Sequence, residues 1–293
     1  MELDHRFMKK VLTYFYERPV FAALSTFSIY LLIVFLLTAF FPWLSIHILP
    51  NTFTGLYNKQ FWEGVLVNLN SSVVDFFVFG VILFYFHKKG ESNSIISSML
   101  NELSDIAKYD DIQLNLRKVG ILKRLSSLGH DIYTLHRIAI GGAGVEIRDV
   151  KIRKSDFTAL NAKKVYINTL SVIETSLRSS DFSESKIRNA RFDSCNFRNT
   201  NFEKTTSVGN KFNNCDFKNA NFKNSNFKSS IFLGSSFEGV NFEGCNLNRT
   251  NLKNATNIDI TELCKAADLN YIIAEQSIIS QIKTMRPDVK FSK

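Results

Sequence analysis

A β-solenoid carried behind two membrane-spanning helices is the fold class that this 293-residue sequence predicts, and three observations predict it. The first is a five-residue lattice. Every phenylalanine between Val150 and Ile260 falls on it: Phe157, Phe182, Phe192, Phe197, Phe202, Phe212, Phe217, Phe222, Phe227, Phe232, Phe237 and Phe242. Ile147, Ile152, Ile167, Val172, Leu177, Ile187, Leu247 and Leu252 fill most remaining points, and only Ala162 and Ser207 are not large and apolar. A period of five matches neither an α-helix, at about 3.6, nor a strand, at about 2. It suits a coil with five-residue sides, one side chain turned inward per side. Such a unit buries its apolar face only by stacking on its neighbours.

The second observation is what surrounds each lattice residue. Two residues before it comes a small side chain (Ala190, Cys195, Thr200, Cys215, Ala220, Ser225, Ser230, Ser235), and one before it an Asn or Asp (Asp181, Asn196, Asn201, Asp216, Asn221, Asn226, Asn241, Asn246, Asn251). Two residues after it come corner formers: Asn199, Asn214, Asn219, Asn224, Gly234, Gly239 and Gly244. A tight interior needs large and small inward residues together, and Asn and Gly tolerate the strained corner backbone. The pattern resembles the pentapeptide-repeat family, strongly over residues 175–255 and more loosely back to Ile147. The resemblance implies a right-handed, quadrilateral parallel β-helix. Residues twenty apart then stand in register, so Phe182, Phe202, Phe222 and Phe242 share one column, Phe197, Phe217 and Phe237 another, and Asn201, Asn221 and Asn241 form an amide ladder. Ser207, with Val208 and Gly209 behind it, interrupts the column of Ile187, Phe227 and Leu247 and predicts a local bulge or loop.

Third, two apolar stretches precede the lattice. Val20–Phe41 has 22 uncharged residues, about 33 Å as a helix against a hydrocarbon core of about 30 Å. Gly64–Phe86 is apolar apart from Asn68, Asn70, Ser71, Ser72 and Asp75. Ala39-Phe40-Phe41-Pro42-Trp43 offers no small-residue cleavage site, so the first stretch reads as a retained span. Arg6, Lys9, Lys10 and Arg18 precede the first span, Lys88 and Lys89 follow the second, and Lys59 is the lone Lys or Arg between. That asymmetry places both termini in the cytoplasm, as a two-pass protein of a bacterial inner membrane. Trp43 and Trp62 bracket the outer loop as interfacial anchors. Asp75 is the candidate functional residue of the membrane part, for ion passage or helix association. The plainer reading starts the helix near Ser71 or Ser72 and leaves Asp75 in its first turn at the outer interface.

The domain reading is a cytoplasmic N-terminus (1–19), a two-span hairpin (20–89), a helical connector or N-terminal cap (90–142), the repeat solenoid (143–257) and a C-terminal helical cap (258–293). In the connector, Ile95, Ile96, Met99, Leu100, Leu103, Ile106 and Ala107 make one amphipathic stripe. Ile112, Leu116, Val119, Leu122 and Leu125 make another after Asp110-Asp111, ending at Gly129 as a C-cap. Either the stripes cover the open end of the solenoid or they self-associate below the membrane. In the tail, Leu263, Cys264, Ala267, Leu269, Tyr271, Ile272, Ile279, Ile282 and Pro287 follow a helix–turn–helix pattern, similar to the capping segment of the same family.

Chemistry-bearing constellations are missing from the sequence. His5, His47, His87, His130 and His136 are scattered outside the lattice, and Cys195, Cys215, Cys245 and Cys264 lack metal-ligand spacing. Cys195 and Cys215 lie one coil apart but read as buried free thiols. Gly141-Gly142-Ala143-Gly144 lacks the Lys-Ser/Thr of a phosphate loop and reads as a hinge into the first coil. No enzyme, cofactor or metal is expected, and no small-molecule substrate. Some family members are acidic rods that resemble the DNA duplex; residues 143–257 here carry 18 Lys+Arg against 11 Asp+Glu, a net of +7, and the chain +9, which excludes polyanion mimicry. Arg178, Arg198 and Lys218 stack on one face with Lys223 and Lys228 beside them, a candidate basic surface for anionic lipid headgroups. Glu203, Glu238 and Glu243 interleave, so a mixed solvated surface is the plain alternative. Nucleic acid is disfavoured because no exposed aromatics are interleaved for stacking. Two functions fit: an anchored, non-enzymatic scaffold for a protein partner or homo-oligomer, or a membrane-permeabilising effector, for example in phage defence, whose spans oligomerise under control of the solenoid.

Overall fold

The computed structural model describes residues 19–47 and 58–291. The chain divides into two compact units, Met1–Ser94 and Ile95–Lys293. The basic residues Arg6, Lys9, Lys10 and Arg18 lie outside the described residues.

In the first unit, helix α1 (Pro19–His47) continues through Pro42, beyond the end at Phe41 that the sequence suggests. Helix α2 (Lys59–Ile106) is one uninterrupted element. It therefore starts well before Ser71, and the stripe from Ile95 to Ile106 is the continuation of this helix rather than a separate one. Asn68, Asn70, Ser71 and Ser72 do not delay helix formation, because each is tolerated once flanking turns supply the backbone bonds. α1 and α2 pack antiparallel: Asn70 Nδ2 donates to Thr38 Oγ1 at 2.9 Å, Tyr30 Oη donates to the Leu69 carbonyl at 3.3 Å and shares a hydrogen bond with Ser72 Oγ. The Tyr30 and Phe76 rings lie 5.2 Å apart and those of Phe27 and Phe77 6.2 Å. Both helices are long and apolar enough to cross a membrane.

The second unit is a parallel β-solenoid. Strands β1 (Glu146–Arg153), β2 (Tyr166–Ile173) and β3 (Lys186–Asp193) pair in parallel with a constant shift of twenty residues, Ile147 on Ile167 on Ile187 and Ile152 on Val172 on Phe192. Two short strands, β4 (Thr206–Ser207) and β5 (Lys211–Asn213), both pair with β3. Beyond them single bridges keep the same shift, as in Ser176, Asn196, Asp216, Ser236 and Thr256. The predicted lattice faces inward throughout: all eleven phenylalanines from Phe182 to Phe242 are buried. The Phe192, Phe212 and Phe232 rings stack at 4.9 and 5.0 Å, and those of Phe197, Phe217 and Phe237 at 5.1 and 5.4 Å. In the Phe182 column the first pair stacks and the next two meet edge-on.

Each flanking position has a hydrogen-bonding job. The Asn or Asp before the lattice residue accepts from the backbone N–H two residues on, as Asn196 does from Arg198 at 3.1 Å and Asn221 from Lys223 at 3.1 Å, an Asx turn that sets the corner. The corner residue then sits at positive φ every five residues, including Lys154, Thr169, Glu174 and Arg249 as well as Asn and Gly. The small residue reaches back one coil: Ser185, Thr200, Thr205, Ser230, Ser235 and Thr250 each donate a hydroxyl to the carbonyl 23 residues earlier. Several of these hydroxyls also accept an inward N–H, as Ser185 does from Val165 and Ser235 from Cys215. Where the slot holds a hydroxyl, that donor satisfies a buried carbonyl as well as filling space, while Ala190, Ala220 and Val240 fill the same slot without one. The amide ladder runs from Asn221 to Asn201 to Asp181 at 3.1 and 3.3 Å, while Asn241 is engaged by Glu243 N.

The expected bulge at Ser207 does not form. Ser207 stays in register with Ile187 and is fully buried. Beside it Asn210, 1% exposed, occupies the small-residue slot; its Nδ2 donates to Ser207 Oγ at 2.9 Å and to the Ile187 carbonyl at 2.8 Å, while its Oδ1 accepts from Ala190 N at 2.8 Å. A hydrogen-bonded buried pair, Ser207 and Asn210, stands where the lattice would place a large apolar side chain.

Both ends of the coil extend past the lattice. Thr134 bridges Asp156 and Ala139 bridges Asn161, while Asn246 bridges Asp268 and Asn251 bridges Ile273, all with a shift of 22. The hinge assigned to Gly141–Gly144 thus follows a first partial coil rather than preceding it. Helix α3 (Ile112–Ser127), N-capped by Asp111 with Gly129 at φ 80° behind its C-terminus, packs on β1. Its Val119, Leu122 and Leu125 join Leu103, Ala107, Tyr133, Ile138 and Val145 in the solenoid core, so the covering role is the one observed. Lys118 is completely buried beneath it. Its ammonium donates to the carbonyls of Ala107 (3.1 Å), Tyr109 (2.5 Å) and Ala139 (2.7 Å) and to Asn115 Oδ1 (2.9 Å). At the other end, α4 (Ile260–Leu263) and α5 (Gln276–Met285) bury Leu263 and Ile282, and the segment between them buries Ala266, Leu269 and Ile272. Ala267 and Tyr271 are exposed instead.

Candidate functional site

Asp75 stands 16 residues into α2, so it is not in the first turn of its helix. Between Gly64 and Phe86 it is the central residue, about 16 Å from either end at about 1.5 Å per residue. The face of α2 that α1 covers carries the half-buried Val65, Leu66, Leu69, Ser72 and Val73. Asp75 lies on the other side of the helix, exposed, together with the exposed Asn68 and Ser71. These three side chains share one stripe because their spacings, three and four residues, return to the same face.

On the solenoid, the five cations singled out from the sequence separate into two groups. Three are paired: Arg198 with Asp216 at 2.6 Å, Lys218 with Glu238 at 2.7 Å and Lys223 with Glu243 at 2.9 Å. The Glu243 carboxylate raises the Lys223 pKa through its hydrogen bond and charge. Arg178 and Lys228 are exposed and outside these pairs. The interleaved acids therefore neutralise most of the proposed patch, since the twenty-residue register sets Glu238 and Glu243 directly beside Lys218 and Lys223.

A stronger basic surface lies on the outer face of β1, β2, β3 and β5. Arg148, Lys151, Arg153, Lys186, Arg188, Arg191 and Lys211 all project from it and are exposed. Arg148, Arg153 and Arg191 pair with Glu146, Asp131 and Asp193. Lys151, Lys186, Arg188 and Lys211 are left without a carboxylate partner among the described residues. The register explains the gathering: Lys151 aligns through Ser171 with Arg191 and Lys211. Their signal in the sequence was phase alone, since outward residues next to the aliphatic lattice points belong to the same face.

The thiols are free. Cys195 Sγ contacts the Val172 carbonyl at 3.5 Å and Cys215 Sγ the Phe192 carbonyl at 3.5 Å, so both occupy the small-residue slot as donors. Burial pushes the Cys215 thiol far up and that of Cys245 to about 12. Among the described residues no three His, Cys, Asp or Glu side chains gather as a metal site would require.

Residues 173–206 match the family model described as Pentapeptide repeats (8 copies), and residues 212–256 match a second, Pentapeptide repeats (9 copies). Solved structures similar to the chain include a form of QnrB1, a plasmid-mediated fluoroquinolone resistance protein (15% identity over 55% of this chain and 98% of that one, TM-score 0.29). HetL, a pentapeptide repeat protein involved in heterocyst differentiation regulation from the cyanobacterium Nostoc sp. strain PCC 7120, matches at 12% identity over 54% of this chain and 97% of its own (TM-score 0.25). A pentapeptide repeat protein from the Arabidopsis thaliana thylakoid lumen matches at 18% identity over 41% and 77% (TM-score 0.15). No curated protein matches the chain.

Proposed function

We propose that this chain, a pentapeptide-repeat protein by residues 173–206 and 212–256, is a non-enzymatic scaffold. It is anchored by α1 and α2 in a bacterial inner membrane and holds its solenoid on the cytoplasmic side for protein binding or assembly. The observation that carries the reading is a contrast in how the two units spend their apolar residues. In the solenoid every lattice phenylalanine is buried against its own stack, which leaves a rigid rod with a closed interior. In α1 and α2 the large apolar residues face outward, with Phe35 64% and Phe79 58% exposed. Continuous outward apolar surface of this length suits lipid. The unpaired cations Lys151, Lys186, Arg188 and Lys211 suit anionic headgroups as an added contact.

Carbonate extraction and reporter fusions test the reading. The chain should stay in the membrane fraction, fusions after Lys89 and at Lys293 should both report cytoplasm, and a tag at Asn58 should be reachable from outside. A periplasmic C-terminus overturns the orientation, and a protein released by carbonate overturns the anchor. The mid-span position of Asp75 favours a second reading, the membrane-permeabilising effector. Depolarisation of cells by overexpressed wild type that Asp75→Asn abolishes would establish that reading over the scaffold.

A further inference from the structure

We propose that a second copy of this chain covers the polar stripe of α2, so that the hairpins self-associate through Asn68, Ser71 and Asp75. The inference rests on the membrane reading above. In hydrocarbon a polar side chain without a partner is unfavourable by several kcal/mol, and a mid-span carboxylate is rare unless another polar group meets it. Among the described residues the hairpin does not meet this demand internally. The polar groups that α1 offers across the pair, Tyr30 and Thr38, are engaged with Leu69, Ser72 and Asn70 on the covered side of α2. Asn68, Ser71 and Asp75 are on the exposed side.

The spacing of the stripe identifies the occupant. Gly64, Asn68, Ser71, Asp75, Val78 and Ile82 alternate by four and three residues, the a/d seam of a left-handed helix pair. All six are exposed. In a parallel pair, residues of the same number meet at the same depth. A second copy therefore sets Asp75 carboxyl against Asp75 carboxyl, a pair that one shared proton bridges, with the partner's Ser71 hydroxyl one turn away as a further donor, and sets Asn68 amide against Asn68 amide. An unrelated span would have to carry polar groups at matching depths; an identical one does so by construction. Gly64 lets the backbones approach at the outer end, and a single Asn at such a position fixes register.

The test uses the full-length chain with Cys264→Ser, purified and reconstituted in lipid vesicles, with Ser71→Cys, Val78→Cys or Leu66→Cys introduced one at a time. Oxidation should cross-link copies through positions 71 and 78 but not through Leu66, which lies on the side covered by α1. Fluorescence energy transfer between labelled copies of the wild-type chain should report association that Asp75→Leu weakens about three- to thirtyfold, the range for one or two interhelical hydrogen bonds. A membrane-retained chain that shows no energy transfer and no cross-link at 71 or 78 overturns self-association alone. Equal cross-linking at 66 overturns the assignment of the face, and a stripe that cross-links only to another membrane protein in cells assigns it to that partner instead. Release of the chain by carbonate overturns the anchored reading, and the inference with it.

Discussion

Asn210 is where the solenoid departs most from its own repeat, and replacing it tests how the interior is held together. Its amide makes three buried bonds: from Nδ2 to the Ile187 carbonyl and to Ser207 Oγ, and from Ala190 N to Oδ1. Asn210→Ala removes all three and leaves the Ala190 N–H and the Ile187 carbonyl without these partners in a dry core. At about 1–3 kcal/mol per stranded group, with a small cavity added, the expected loss is about 3–5 kcal/mol. Asn210→Ser should lose far less, about 1–2 kcal/mol. A serine in this slot elsewhere both donates to the carbonyl 23 residues back and accepts the inward N–H, as Ser185 and Ser235 do. Hydrogen exchange by mass spectrometry on the full-length chain in detergent is the appropriate assay, because stability in a stacked solenoid is local. The peptide containing Ala190 should lose protection strongly in the alanine variant and slightly in the serine variant. Equal protection in both variants and in wild type would refute the argument that polar satisfaction, rather than volume, selects this position.

Phe222 packs against Phe217, Phe227 and Phe242 at 5.3, 4.5 and 5.8 Å, so Phe222→Asp should unfold the central coils while the exposed Lys228→Asp stays within about 1 kcal/mol of wild type; denaturant melts showing similar losses would deny that the lattice faces inward. Gly239 has φ 67° and an added Cβ would stand 2.5 Å from Asn219 Oδ1. Any side chain must turn that flexible amide aside, but a β-branched one is also strained at positive φ, so Gly239→Val should destabilise by more than about 2 kcal/mol, whereas Gly239→Asn, extending the column of Asn199 and Asn219 at a similar positive φ, should stay within about 1 kcal/mol in the same melts. Thiol labelling of the native protein near neutral pH should modify the half-buried Cys264 first, with Cys195, Cys215 and Cys245 reacting only after unfolding; early labelling of Cys195 would contradict the closed core. Lys118→Met should loosen the N-terminal cap by about 2–4 kcal/mol, because three main-chain carbonyls lose their ammonium donor. Burial lowers the Lys118 pKa against the opposing charges of Asp110 and Asp111, so the unfolded chain binds this proton more readily. In wild type this group then adds stability as pH rises from its depressed pKa towards 10.5, a slope that Lys118→Met should remove from alkaline melts.

The elements that were legible in the sequence are those whose cause is a single repeated contact. Each lattice phenylalanine is inward because the residue twenty before and twenty after is inward, so one period determines the whole stack. The corners were legible by phase more than by residue type, since Lys154, Glu174 and Arg249 adopt the same positive φ as the asparagines. At the ends the caps were legible, but the coils that extend past the lattice were not, and the reason is the same in both cases. A coil of 22 residues between Thr134 and Asp156, or between Asn246 and Asp268, moves the inward positions two residues out of phase, so that Leu135 and Leu269 are buried off the five-residue lattice. On the basic face the register was legible, and so was the interleaving of Glu238 and Glu243; what it left open was which cations close into pairs, as Lys218 and Lys223 do with those two acids.

Asp75 shows how far such a reading depends on where a helix begins. Serines and asparagines in a row signal a helix start in a soluble chain, because their side chains compete for backbone donors. In α2 the same residues are held inside a helix that began at Lys59, and Asn70 and Ser72 spend their polar groups on α1 or on their own preceding turn. What the second helix uses up on one side sharpens what is left on the other. Once Asn70 and Ser72 are satisfied, Asn68, Ser71 and Asp75 remain as the polar face without an internal partner among the described residues, within two turns of one another on α2. An anchor whose only task is to hold a rod needs no such face, since leucine at all three positions would insert better. The proposed pairing of α2 with a second copy gives that carboxylate a role that leucine would not fill.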